Sequence, residues 1–106
     1  SVDYPDYAKA VCINMNSDTI GILVCYTGIG MSIALNKMKG IYCAKVSTIS
    51  EATLSKAHNN VNVMAISEEM DKELMKDIVI KFIQTPFSNI DRYVIRNNKI
   101  KDIENA

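Results

Sequence analysis

The chain has no tryptophan, only two prolines, four glycines and a single histidine in 106 residues. So little proline and glycine excludes collagen-like and low-complexity chains. No apolar run approaches the ~18 residues that a membrane span requires, and no signal-peptide pattern opens the chain. Neither sign of charge is in excess: twelve basic residues balance twelve acidic ones. That balance removes the electrostatic case for nucleic acid or an anionic membrane as the main partner. The three cysteines, Cys12, Cys25 and Cys43, are an odd number with no CxxC spacing. With one histidine beside them they do not make a structural zinc site, and free thiols point to a reducing, cytoplasmic setting. The chain opens on Ser1 rather than a methionine, and a segment upstream of it is expected.

What is present is ordinary globular composition, 48% hydrophobic and 23% charged, at a length that favours one compact domain. Short apolar runs alternate with longer amphipathic ones. From Ser1 to Asp18, apolar Tyr7, Ala8, Val11, Cys12 and Met15 recur at helical offsets, with Pro5 in the first turn. Ile20 to Tyr26 reads as a buried strand and Thr27 to Gly30 as a turn. Met31 to Lys39 reads as a short helix closed by Gly40. A second strand is expected over Ile41 to Val46, then a helix from about Ser50 to His58, then a third strand over Val61 to Ile66. Glu68 to Thr85 is the clearest helix, with Met70, Leu74, Ile78, Phe82 and Ile83 as its apolar stripe and Pro86 as its stop. A last helix is expected over Asp91 to Glu104. The alternation predicts a three-layer α/β/α fold on a parallel, Rossmann-like sheet. Three parallel strands leave an open edge, which again suggests strands missing before Ser1 or a neighbouring subunit.

Three features could carry chemistry. Cys25 ends the first strand just before Thr27, Gly28, Ile29, Gly30 and Met31, where a helix begins. Open α/β sheets bind ligands at strand carboxyl ends, and amides at a helix N-terminus make a nest for anions. A thiol at that rim is expected to have its pKa lowered and to serve as a base; alternatively, Cys25 is a small core hydrophobe and the glycines only make a turn. His58 closes a helix and is followed by Asn59 and Asn60; it is either a surface residue or a catalyst, and that helix end fits either edge of the sheet. Arg92 and Arg96, the only arginines, stand four apart on one helical face. There they suit a bidentate phosphate or form a solvated basic face beside Asp91 and Asp102.

Taken together, these motifs resemble a known family. Cys25-Tyr26-Thr27-Gly28-Ile29-Gly30-Met31-Ser32-Ile33-Ala34, with Asn36-Lys37 and Lys39-Gly40-Ile41, resembles the glycine-rich signature of type B ribose-5-phosphate isomerases. His58-Asn59-Asn60 with Asn62-Val63 resembles their histidine–asparagine motif. Asp3-Tyr4-Pro5 with Tyr7-Ala8 matches the segment before the first signature, and Thr85-Pro86-Phe87 with Arg92 and Arg96 resembles the C-terminal arginine pair. Departures are present too. Tyr26 stands where the family usually has glycine, Tyr42 where it usually has arginine, and Tyr93 where a histidine usually follows the first arginine. The loop before Arg92 differs slightly in length. The family's opening strand, which ends in an Asp-His pair, would lie before Ser1, so the chain as it stands is expected to be inactive alone.

The resemblance implies an aldose–ketose isomerisation of a sugar phosphate through an enediolate, interconverting ribose 5-phosphate and ribulose 5-phosphate in the pentose phosphate pathway. In that scheme Cys25 is the base between C2 and C1. Thr27 and the amides of Gly28, Ile29, Gly30 and Met31 stabilise the enediolate oxygen. His58 assists ring opening and Asn59 holds a substrate hydroxyl. Tyr4, Arg92 and Arg96 complete the site, the arginines on phosphate. No metal or organic cofactor is required, and the partner implied is a second copy of the chain, in a homodimer or a tetramer, with the site shared between subunits. Galactose-6-phosphate or allose-6-phosphate isomerase chemistry is the near alternative; Cys25 favours the ribose enzyme. A non-catalytic sugar-phosphate binding subunit is the alternative from another class.

Overall fold

The computed structural model describes residues 3–106. Ser1 and Val2, at the start of the first expected helical stretch, lie outside the described residues. Among the described residues, five helices and three strands follow one another: α1 (Tyr4–Ile13), β1 (Gly21–Cys25), α2 (Ile29–Asn36), β2 (Cys43–Lys45), α3 (Ile49–Asn59), β3 (Val63–Ser67), α4 (Lys72–Gln84) and α5 (Asp91–Glu104). The strands are all parallel, as expected, and their spatial order is β1-β3-β2. Val63, Met64, Ala65 and Ile66 of the central strand are fully buried, because helices cover both faces of the sheet.

One face carries α1 and α2. Ala8, Met31, Leu35, Ile41 and Val63 form its core, with Leu23, Cys25 and Cys43 packed against them. The other face carries α3 and α4, with Val46, Ala52, Met64, Ile66, Ile78 and Phe82 at its centre. The helix starts are capped locally. Thr48 Oγ1 accepts from the Glu51 amide at 3.0 Å while Glu51 Oε1 accepts from the Ser47 amide at 2.7 Å, a near-reciprocal cap for α3. Asp71 Oδ2 accepts from the Leu74 amide at 3.0 Å and starts α4. That cap moves the start of α4 from the expected Glu68 to Lys72, although Met70 still packs on the core.

Apolar expectations fail at three places. The run Ile20 to Tyr26, expected as a buried strand, is an edge strand with no buried residue, and Val24 is 54% exposed. Tyr7 and Ile83 lie on helical stripes in the sequence, yet they are 55% and 54% exposed. In both helices the stripe is narrower than the run of apolar residues, so its flank faces outward. Strand β2 is shorter than expected because only Cys43–Lys45 registers against β3. Helix α5 has no buried residue at all and is held to the body by contacts of Tyr93, Asn97 and Glu104.

Candidate active site

The order of strands decides where a ligand can enter. From β1 the chain passes to α2 on one face, whereas from β3 it passes to α4 on the other. Two neighbouring strands whose following helices diverge leave a crevice at their carboxyl ends. Those ends are Cys25 and Ser67, which face each other in register.

Cys25 sits half-buried at that edge, its Sγ 3.8 Å from the Ile66 carbonyl. Gly28 caps α2 in the left-handed region, φ +83°, a conformation that glycine adopts without steric cost. This turn aims the Gly28 amide at the thiol. Gly30 is needed for a different reason, close approach: a Cβ there would fall 2.6 Å from Tyr4 Cζ and Oη. The phenol of Tyr4 therefore lies over the first turn of α2.

The four amides from Gly28 to Met31 differ in their partners. The Gly28 amide acts on the thiol, lowering its pKa, and the Ile29 amide donates to Thr27 Oγ1 at 3.2 Å. Among the described residues, the amides of Gly30 and Met31 have no acceptor, as the first turn of a helix dictates. Among the described residues, the Thr27 hydroxyl accepts from the Ile29 amide and has no acceptor of its own. The thiol also corrects an expectation. Burial pushes the Cys25 pKa up, and the Gly28 amide offsets only part of this; Glu68 adds to the rise and Lys45 opposes it. Desolvation thus outweighs the helix terminus.

His58, Asn59, Arg92 and Arg96 gather elsewhere. Helix α3 starts beside the carboxyl end of β2 and runs back for 11 residues, about 16 Å, to reach the amino end of β3. The edge left open in the sequence is therefore the one opposite Cys25. There His58 stacks on Tyr93 of α5, ring centroids 4.2 Å apart and planes 24° apart. The Arg92 guanidinium lies 4.6 Å from the Tyr93 ring centroid and donates to its hydroxyl at 2.9 Å. Asn97 Nδ2 donates to the His58 carbonyl at 2.9 Å, and Asn59 Nδ2 donates to Asn97 Oδ1 at 3.2 Å. Arg96 is exposed one turn beyond Arg92. Glu104 pins the far end of α5, accepting from the Gly40 amide at 3.0 Å and the Tyr42 hydroxyl at 2.9 Å. Tyr42 thus serves as an anchor where the resembling family usually places a cation. A cavity of about 490 Å³ opens at this edge between Asn59, Asn97, Lys101 and Glu104. It lies away from Cys25.

A family model described as ribose/galactose isomerase matches residues 1–100. The chain belongs to the ribose/galactose isomerase family. Among its relatives, a Rickettsia conorii protein bearing a sugar phosphate isomerase name is 43% identical over 95% of this chain and 72% of its own. The type B ribose 5-phosphate isomerase of Leishmania infantum superposes with a TM-score of 0.93 at 42% identity, covering 99% of this chain and 71% of that one. The Mycoplasma genitalium ribose-5-phosphate isomerase B, solved with bound ribulose-5-phosphate, gives 0.92 at 36% identity over 99% and 71%.

Within the ribose/galactose isomerase frame, sequence reasoning passed over Ser67, Lys45 and Glu68 near Cys25, and Asn97 at the other edge. Ser67 Oγ donates to the Tyr26 carbonyl at 2.6 Å and so shapes the turn after Cys25. Its signal was a hydroxyl directly after an apolar strand. Asn97 has no sequence signal, because its partners are 38 and 39 residues away. Among the described residues no group of three His, Cys, Asp or Glu side chains is placed to hold a metal ion. No helix among them is long and apolar enough to cross a membrane.

Proposed function

We propose that the chain is an aldose–ketose isomerase of phosphorylated sugars, with ribose 5-phosphate and ribulose 5-phosphate as the pair interconverted. The observation that carries this reading is the Cys25 thiol at the crevice, with the free amides of Gly30 and Met31 and the Thr27 hydroxyl around it. The thiolate takes the C2 proton of the open-chain aldose as negative charge passes to the carbonyl oxygen. The amides and hydroxyl meet that charge, and the proton returns at C1 once the hydroxyl proton has moved between O1 and O2. A thiol raised by burial is the stronger base once ionised, which suits a weak carbon acid.

The groups suited to ring opening and phosphate, His58, Asn59, Arg92 and Arg96, lie at the far edge of the same sheet. A two-fold pair of chains, each setting its His58 edge against the Cys25 edge of the other, brings the two groups of residues together twice. Tyr4 borders the Cys25 half. The three cysteines are free, which supports a reducing, cytoplasmic setting.

Exchanging Cys25 for alanine tests the reading. In ribose 5-phosphate turnover, kcat is expected to fall by about 10³-fold, in the range of a lost general base, while KM changes little. Undiminished turnover in Cys25→Ala removes the thiol from the reaction.

A further inference from the structure

Charge at the Cys25 edge comes from side chains as well as from the helix terminus. Cys25 registers with Ser67, and Lys45 registers with Ala65, two residues earlier on β3. Paired residues on parallel strands project to one face, and so do residues two apart. Cys25, Ala65 and Lys45 therefore rise together on the side covered by α2. Gly28 lies over this row. A Cβ at Gly28 would sit 3.6 Å from Cys25 Sγ, 3.6 Å from Ala65 Cβ and 3.4 Å from Lys45 Cγ. A left-handed residue without a side chain lets the cysteine and the lysine close in from two sides. Lys45 is exposed, and its ammonium donates to Ser47 Oγ at 3.3 Å. On the opposite flank, the Glu68 amide donates to the Cys25 carbonyl at 2.8 Å, which holds that residue beside the thiol's own turn.

We propose that Lys45 is a positioning residue for the base: its ammonium is the electrostatic partner of the Cys25 thiolate, and Glu68 opposes it. Burial and the Gly28 amide dominate the thiol, and this lysine and glutamate adjust it in opposite directions. The groups that act on the thiol are Lys45 and Cys43 from β2, the Gly28 amide at the start of α2, and Glu68 from the turn after β3. Cys43 stays protonated, its thiol pushed up to about 11 by burial. Lysine and glutamate are thus the two charges left to tune the site, and they act on the thiol in opposite directions. The catalytic consequence rests on Cys25 being the base; the electrostatic pairing itself does not.

The test follows alkylation of Cys25 by iodoacetamide against pH, without substrate, with peptide mapping to separate Cys12 and Cys43. In Lys45→Met the neutral-pH rate is expected to fall about two- to fivefold, the range of an exposed charge pair, and its pH midpoint to rise. In Glu68→Gln the rate is expected to rise by a similar factor. Lys45→Arg restores the wild-type profile, and ~1 M salt flattens every difference, which a merely structural effect would not do. The pH midpoint of isomerase kcat/KM is expected to move with the alkylation midpoint. Profiles that stay put in both variants, or move the same way in both, overturn the proposal. Opposite shifts together with full turnover in Cys25→Ala uphold the pairing and overturn Cys25 as the base.

Discussion

The two edges of the sheet are built in different ways. At the Cys25 edge the geometry is set by backbone: a strand end, a left-handed Gly28 and the first turn of α2, beneath a core that buries Met31 and Leu35. At the His58 edge it is set by side chains: a Tyr93 ring between His58 and Arg92, an asparagine clasp, and a helix with no buried residue. Backbone-built sites are fixed by topology and tolerate little change. Side-chain stacks hold a loosely packed helix and yield gradually. In the proposed scheme the proton-transfer half is thus the one built from backbone, and the half suited to phosphate is the one built from side chains.

The largest effect is expected at the backbone-built edge. Gly28→Ala puts a side chain at φ +83°, 3.6 Å from the thiol, and is expected to lower stability by about 1–2 kcal/mol. Turnover is expected to fall further than that loss explains, because the cap that aims two amides is displaced. Denaturant unfolding together with kcat separates the two. If kcat survives, the nest is not what holds the developing charge.

A smaller effect is expected at the stack. Tyr93→Ala releases His58 and Arg92 together, and KM for ribose 5-phosphate is expected to rise about tenfold, close to the 0.5–1.5 kcal/mol of an aromatic pair. Tyr93→Phe keeps the ring but not the hydroxyl that holds Arg92, and is expected to fall between alanine and wild type. A KM that stays constant in both variants would separate this stack from substrate binding.

The same contrast explains what the sequence made legible. Apolar runs marked all three strands to within about two residues, most sharply the central β3, which is apolar on both faces. Thr27 to Met31 was legible as a strand-to-helix turn. The use of each amide was not, since Gly28 and Ile29 donate to partners that only the folded turn brings near. Gly30 read as a flexible turn residue, but it is the approach of Tyr4 from another helix that demands glycine there. Strand order is a long-range property, so the edge on which His58 falls had to wait for the folded chain. The thiol shift was misjudged in sign because burial at a strand end does not show in local sequence, whereas a helix terminus does. Tyr93 looked like a plain departure from the family pattern; its stacking on a residue 35 positions earlier in the numbering, His58, depends on how α5 docks.

The central claim is that neither edge suffices and that two chains together make each site. It is tested most directly by mixing two inactive variants, Cys25→Ala and Arg96→Ala with His58→Ala, and letting subunits exchange. In a mixed pair one site carries both lesions and the other carries none. Turnover is then expected to return to about a quarter of wild type in an equal mixture, as two-fold symmetry with random exchange dictates. Subunit exchange that is verified by mass, with no gain in turnover over the separate variants, would contradict the shared site.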